Sequence, residues 1–354
     1  MPWNLLTKRR DDLPEMRWPL VIASALAACL LGGLGWTFRG GAMVLTVPFV
    51  VLSVTAYALL ILLWRRLAAL TVTFGIGLAV LALGGDWFTA AGAAVCMLAV
   101  AYVYASLFLA KENRFVRIAS TASAVGVCAL LLTLAYGSMQ YDSLGEALLS
   151  VCALCRDALA DGYAKLAESA GASYVLLPET IDRLLLQAAL SLPAFLGMAC
   201  ILFAALCDAG IRFAFWLLDC DGYFTPETDF GITIPRSFGI LYGVLLFLVI
   251  STDAAGNPPL YAVLSNCHWV FALPCFWVGL TAGYRKLRHA LDAASFYRHT
   301  RSHSPLPALF ILVFFFLIAG LSTAFTLTAA LGAVFILLRE SGMEHADVEP
   351  PEQD

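Results

Sequence analysis

The sequence predicts an all-α fold: a polytopic transmembrane helical bundle with at least eight spans and one external amphipathic helix. Three observations predict it. Hydrophobic residues make up 61% of the 354 positions and charged residues 13%, against roughly 45–50% and about 25% in soluble domains. Uncharged stretches near span length recur along most of the chain, and about 20 helical residues cross a hydrocarbon core of about 30 Å. Lys and Arg concentrate in alternate connecting segments, the asymmetry that orients helices in a bilayer.

Taken in order, residues 1–17 form a basic cytoplasmic tail, and 18–339 form the transmembrane domain. Charge-free segments run 18–36, 41–63, 67–85, 88–110, 118–137, 184–207, 237–252 and 258–283. The seventh is short and draws on the apolar residues before Pro235. The last apolar stretch, 305–338, is about 51 Å long as one straight helix, too long for an upright crossing and too short for two full ones. A break at Gly320-Leu321-Ser322-Thr323 gives a tight pair of short helices; no break gives one long tilted span. Residues 340–354 form an acidic tail whose composition predicts disorder.

With the N-terminus inside, 16 basic residues fall in inside segments and 4 outside, Arg339 lying at the ambiguous end. Trp18, Trp36, Trp64 and Trp87 fall at span ends, as interfacial aromatic anchors do. The protein is therefore expected in the inner (plasma) membrane, multi-pass, with a cytoplasmic N-terminus and the lipid bilayer as its first partner.

The one long outside segment, 138–183, begins with a capping box, Ser143-Leu144-Gly145-Glu146. Apolar residues then recur at helical spacing through Leu148, Cys152, Cys155, Leu159 and Leu166. Arg156, Asp157, Asp161, Lys165 and Glu168 are left for the other face, so an amphipathic helix is expected to end near Gly171. The inside segments are 208–235 and 284–304. The first holds Asp219, Asp221, Glu227 and Asp229 without the fixed acidic ladder of a calcium loop, which predicts a solvated loop.

A net charge of −4 argues against a nucleic-acid partner, because phosphate binding needs clustered accessible Lys and Arg. Of ten cysteines, Cys29, Cys96, Cys128, Cys200, Cys267 and Cys275 lie in apolar stretches, where thiols act as small hydrophobes. Leu26-Ala27-Ala28-Cys29 resembles a lipoprotein cleavage box, but the apolar run continues to Trp36, which is span length. Cys152 and Cys155 are expected on the apolar helix face, and His299 and His303 in a hydrophilic loop with no further ligand, so no metal is expected. No phosphate-binding loop, H-E-x-x-H or G-x-S-x-G occurs. Neither enzymatic activity nor a cofactor is expected.

Asn266 and His268 in the eighth span, and Gln187 in the sixth, are the candidate solute-cavity residues, since polar groups at depth need partners and mark solute paths. The competing role is an interhelical hydrogen bond, worth about 0.6 kcal/mol. Pro48, Pro193 and Pro274 lie inside spans, where the backbone groups they free must be satisfied by neighbours or water.

The run Tyr261-Ala262-Val263-Leu264-Ser265-Asn266 through Trp277-Val278-Gly279-Leu280 to Tyr284-Arg285-Lys286, with 230–235 and the terminal apolar stretch closed by Leu338-Arg339, resembles the YybS-like family of bacterial inner-membrane proteins. That family is distantly similar to the substrate-capturing subunits of energy-coupling-factor vitamin transporters. The resemblance implies a solute bound near the outer face under a loop, and an Ala-x-x-x-Ala helix against which a coupling protein packs. Ala23 and Ala27 have that spacing. The present chain departs from those subunits in having at least eight spans instead of six.

The expected function is thus a membrane subunit that recognises a small solute in an outward cavity, lidded by the 143–171 helix and served by Asn266, His268 and Gln187. Its expected partners are cytoplasmic or membrane proteins, including a coupling protein with ATPases. The alternative is a non-transporting scaffold acting through partners in envelope, division or developmental processes. An intramembrane enzyme would need a catalytic pair at depth, and His268 has only Cys267 and Cys275 nearby in sequence.

Overall fold

In a computed structural model of the chain, the described residues are 18–37, 43–63, 66–83, 86–140, 178–217, 234–252, 256–296 and 321–339, with isolated positions between 143 and 168. Their regular structure is helical throughout. The helices are α1 (Trp18–Thr37), α2 (Met43–Leu63), α3 (Arg66–Ala82), α4 (Trp87–Leu109), α5 (Arg114–Gln140), α6 (Pro178–Leu217), α7 (Arg236–Ser251), α8 (Pro258–Phe296) and α9 (Leu321–Arg339). They fall into two compact units, Met1–Thr225 with α1–α6 and Pro226–Asp354 with α7–α9.

Among the described residues, four segments are long and apolar enough to cross a membrane: Ala90–Leu109, Arg114–Ala135, Leu190–Phe215 and Pro258–Leu287. Only 17–33% of each is buried inside the protein, the rest being half-buried or exposed. Phe195, Leu196, Leu202 and Leu206 on α6, and Val127, Leu130 and Leu131 on α5, are exposed, whereas Ser53, Thr55, Thr121, Arg117 and Asp208 are buried. Large exposed apolar patches are rare on a soluble monomer. Such a surface suits a hydrocarbon solvent, in which polar groups turn inward.

Two helices run past the expected span ends. α6 continues to Leu217, so Asp208, expected to open a solvated inside segment, is helical and fully buried. α8 likewise continues to Phe296, making the first part of 284–304 helical. No Gly or Pro occurs in 208–217 except Gly210, which lies on a packed face, so nothing in the sequence breaks α6 there.

In unit 1, α2 packs against α1, α3, α4 and α6, and α5 joins α4 to α6. Tyr57, Leu60, Ile76, Tyr104 and Phe215 are among the fully buried side chains. Ser53 donates to the Ala28 carbonyl at 2.7 Å, tying α2 to α1. Gly210 lets α6 approach α2, since a Cβ there would meet the Thr55 side chain at 3.0 Å.

The α4–α5 connection is a left-handed helix stop. Glu112 N–H donates to the Leu107 carbonyl at 3.1 Å and Lys111 N–H to Phe108 at 3.0 Å, the paired bonds of a Schellman motif. Lys111 occupies the left-handed position at φ 55°, where glycine carries no Cβ penalty. Lys111→Gly is therefore expected to leave thermal stability unchanged or raise it by up to about 1 kcal/mol, measured as the unfolding midpoint in detergent.

Unit 2 is held by a close crossing of α8 and α9. A Cβ on Gly279 would collide with the Thr328 carbonyl oxygen, and one on Gly332 with the Cys275 carbonyl oxygen, so the two backbones touch there. Aromatic rings continue the contact: Trp269 and Phe276 stack on Phe325, with centroids 5.3 and 4.6 Å apart. α7 joins through Tyr242 on His268 and Phe238 on Phe271.

At the isolated positions between 143 and 168, residues 145–146, 150, 153, 157, 160–161, 165 and 168 are helical. Glu146 N–H donates to Ser143 Oγ at 3.2 Å, one half of the capping box. Asp157, Asp161, Lys165 and Glu168 are exposed there. Leu148, Cys152, Cys155, Leu159 and Leu166, the acidic loop residues from Asp219 to Asp229, His299, His303 and the segment 305–320 lie outside the described residues.

Candidate functional site

Among the described residues of unit 1, a set of charges gathers where α4 ends, α5 begins and α6 approaches its end. Asn113 caps α5 by accepting the Phe115 N–H on its Oδ1 at 3.1 Å. The cap places Arg114 and Arg117 in the first turn, three apart and so on one face. On α6, Asp208 and Arg212 are four apart and share a face by the same rule. Cations at a helix N-terminus oppose the macrodipole, so the two α5 arginines need a counter-charge. α6 supplies it.

Asp208 is fully buried, and both its oxygens are engaged. Tyr104 of α4 donates its hydroxyl to Oδ1 at 2.8 Å, and Arg114 donates Nε to Oδ2 at 2.8 Å. Arg212 Nε lies 3.2 Å from Oδ2. Arg117 Nη2 lies 3.6 Å from Oδ1, an ion pair too long for a hydrogen bond. Arg117 instead donates Nη1 to the Glu112 carbonyl at 2.8 Å, with its guanidinium over the Phe108 ring at 5.5 Å. Its Nε and Nη2 have no hydrogen-bond partner among the described residues, nor has the fully buried hydroxyl of Thr121 one turn further along α5. The arginine side chains are 8% (Arg117), 12% (Arg114) and 25% (Arg212) exposed, so the centre reaches the surface on the Arg212 side.

Among the described residues, three guanidinium groups thus surround one carboxylate. Charges are costly within apolar spans and persist there when paired or functional. The Tyr104 hydroxyl contributes a hydrogen bond to a charged acceptor. Tyr104→Phe is expected to destabilise unit 1 by about 1.5–3 kcal/mol, read as a lower unfolding midpoint with unchanged expression.

The residues expected to serve a solute are placed elsewhere. Asn266, half-buried, donates Nδ2 to the Ala262 carbonyl of its own helix at 2.8 Å. His268 is buried with its ring stacked on Tyr242, centroids 5.5 Å apart, and neither its Nδ1 nor the Tyr242 hydroxyl has a hydrogen-bond partner among the described residues. Two positions apart on a helix is about 200° of rotation, so Asn266 and His268 leave α8 on nearly opposite sides. Gln187 belongs to α6 in unit 1, and its side chain is outside the described residues. Ala27 is half-buried on α1; the side chain of Ala23 is outside the described residues.

Tyr104, Arg114, Arg117, Asp208 and Arg212 went unrecognised in the sequence as a set, because the arginines count there as topology signals and Asp208 as a loop residue. The available signal was the Asp208/Arg212 spacing, which continues the helical period of the sixth span. No group of three or more His, Cys, Asp or Glu suited to a metal ion occurs among the described residues. No family model matches the chain, and no curated protein and no solved structure matches it either.

Proposed function

We propose that the chain is a multi-pass protein of the inner membrane, with at least eight spans and a cytoplasmic N-terminus, that recognises a small anionic solute through the Asp208 centre. The four long apolar helices and their outward apolar faces support the membrane assignment. Shorter apolar helices, Pro48–Leu62, Val72–Ala82, Arg236–Ser251 and Thr323–Leu338, supply further crossings in this reading.

The observation that carries the solute assignment is the gathering of three arginines on one buried carboxylate. A clamp that only tied α4, α5 and α6 together would need one guanidinium for its carboxylate. Positive charges that only oriented the chain would sit in hydrated loops. Neither role accounts for three arginines gathered on one buried Asp208.

In the proposed orientation Arg114, Arg117 and Arg212 all belong to inside segments, so the solute is met from the cytoplasmic side. That differs from an outward cavity at Asn266, His268 and Gln187, and it leaves the 143–171 helix as an external cap. The kinship with the YybS-like family rests on the motifs quoted above, and a coupling protein with ATPases is a partner to be sought, not assumed.

Purification from native membranes in mild detergent, with mass spectrometry of bound small molecules and proteins, tests the assignment. One stoichiometric anionic metabolite, lost on Arg117→Gln, is the expected result. An empty centre with envelope or division proteins attached would sink it and leave the scaffold.

A further inference from the structure

We propose that the Asp208 centre holds a phosphate monoester, gripped by the Nε/Nη2 edge of Arg117 and the Thr121 hydroxyl. The inference rests on the solute reading above and names its chemistry. Arg117 is more than nine-tenths buried, yet the nitrogens of its side-on edge lack hydrogen-bond partners among the described residues, Nη2 standing 3.6 Å from Asp208 Oδ1. Those two N–H groups are parallel and form the fork that binds a carboxylate or phosphate with two bonds. Its third nitrogen is held by the Glu112 carbonyl, which fixes the fork in direction.

Thr121 adds the second observation. Thr55 and Thr328, also buried in helices, return their hydroxyls to the carbonyl four residues back at 2.7 Å. Thr121 does not, and its fully buried hydroxyl has no partner among the described residues. A buried polar group without a partner is costly, and an acceptor at this place would satisfy both it and Arg117 on the same helix.

Charge and shape select among anions. Three arginines gather at the centre, and a phosphate monoester carries about −1.5 to −2 at neutral pH, more than the single charge of a carboxylate. Donors from a planar fork and a separate hydroxyl suit a tetrahedral group with three free oxygens better than a planar one. Arg212, a quarter exposed, marks the side on which the ester substituent would leave the centre. Such a group reaches the site either as a soluble phosphate monoester or as the headgroup of phosphatidic acid.

The test measures two probes on the full-length protein in phosphate-free maltoside. One is radiolabelled inorganic phosphate by equilibrium dialysis; the other is phosphatidic acid, counted by native mass spectrometry after release from nanodiscs of phosphatidylcholine with and without it. Saturable binding of phosphate assigns a soluble source, and stoichiometric retention of phosphatidic acid alone assigns the lipid. In either case Arg117→Lys, which keeps the charge and loses the fork, and Thr121→Val, which keeps the shape and loses the hydroxyl, each weaken binding about tenfold or more. Thr121→Val is also expected to leave the unfolding midpoint of the ligand-free protein unchanged or higher, which separates lost binding from lost folding. Absence of binding to both probes, or binding indifferent to both substitutions, overturns the inference. A native-membrane solute without phosphate would overturn it too, while leaving recognition of an anion by the centre intact.

Discussion

Asp208→Asn is expected to destabilise unit 1 by about 3–5 kcal/mol, the range for removing one partner of a buried ion pair. The carboxylate is the counter-charge for Arg114, Arg117 and Arg212. Without it, guanidinium groups that are at most 25% exposed face one another across the place the carboxylate held. The chain keeps its hydrophobic spans, so it inserts normally and then unfolds earlier in detergent. Arg114→Gln, made alone, also weakens the centre by leaving Asp208 one donor short. Made in the Asp208→Asn background it restores part of the loss, because it removes one of the charges left unneutralised. Coupling of this sign, read from unfolding midpoints by tryptophan fluorescence, distinguishes an ion-paired centre from separate surface charges; additive losses would contradict it.

Gly332→Val is expected to disrupt unit 2 by about 3 kcal/mol or more, beyond the usual range for overpacking. The atoms in the way are the Cys275 carbonyl and the Gly279 backbone nitrogen, and no rotamer change moves a helix backbone aside. α9 must then withdraw from α8, taking Phe325 off Trp269 and Phe276. Gly243→Val is the matched control, since its Cβ would meet nothing within 4 Å. Equal stability of the two variants would show that the α8–α9 crossing does not depend on backbone contact. Small residues let membrane helices approach closely because lipid offers no hydrophobic drive for their association.

Helix content and apolar windows were legible from composition and charge spacing, since a bilayer demands long uncharged helices. The start of the 143–171 segment was legible too: Ser143 and Glu146 carry a local hydrogen bond that needs no tertiary context. The charged centre was not. Asp208 reads as the end of an apolar run, and only the packing of α4, α5 and α6 turns that end into the middle of an ion-paired cluster. The Gly279–Gly332 contact was equally hidden, because 27 glycines in the chain offer many small-residue spacings and only the crossing selects one pair. Asn266 and His268 show the reverse case: the helical period alone sets them about 200° apart around α8.

The most direct measurement of the proposed architecture is substituted-cysteine labelling in intact cells, on a background with the native cysteines replaced. Glu112 lies exposed in the turn beside the Asp208 centre, and Asn257 lies exposed before α8. With the centre at the cytoplasmic face, Glu112→Cys reacts with a membrane-impermeant maleimide only after permeabilisation, and Asn257→Cys reacts from outside. Labelling of Glu112→Cys in sealed cells would contradict the account, placing the centre on the outer face and its solute in the external medium.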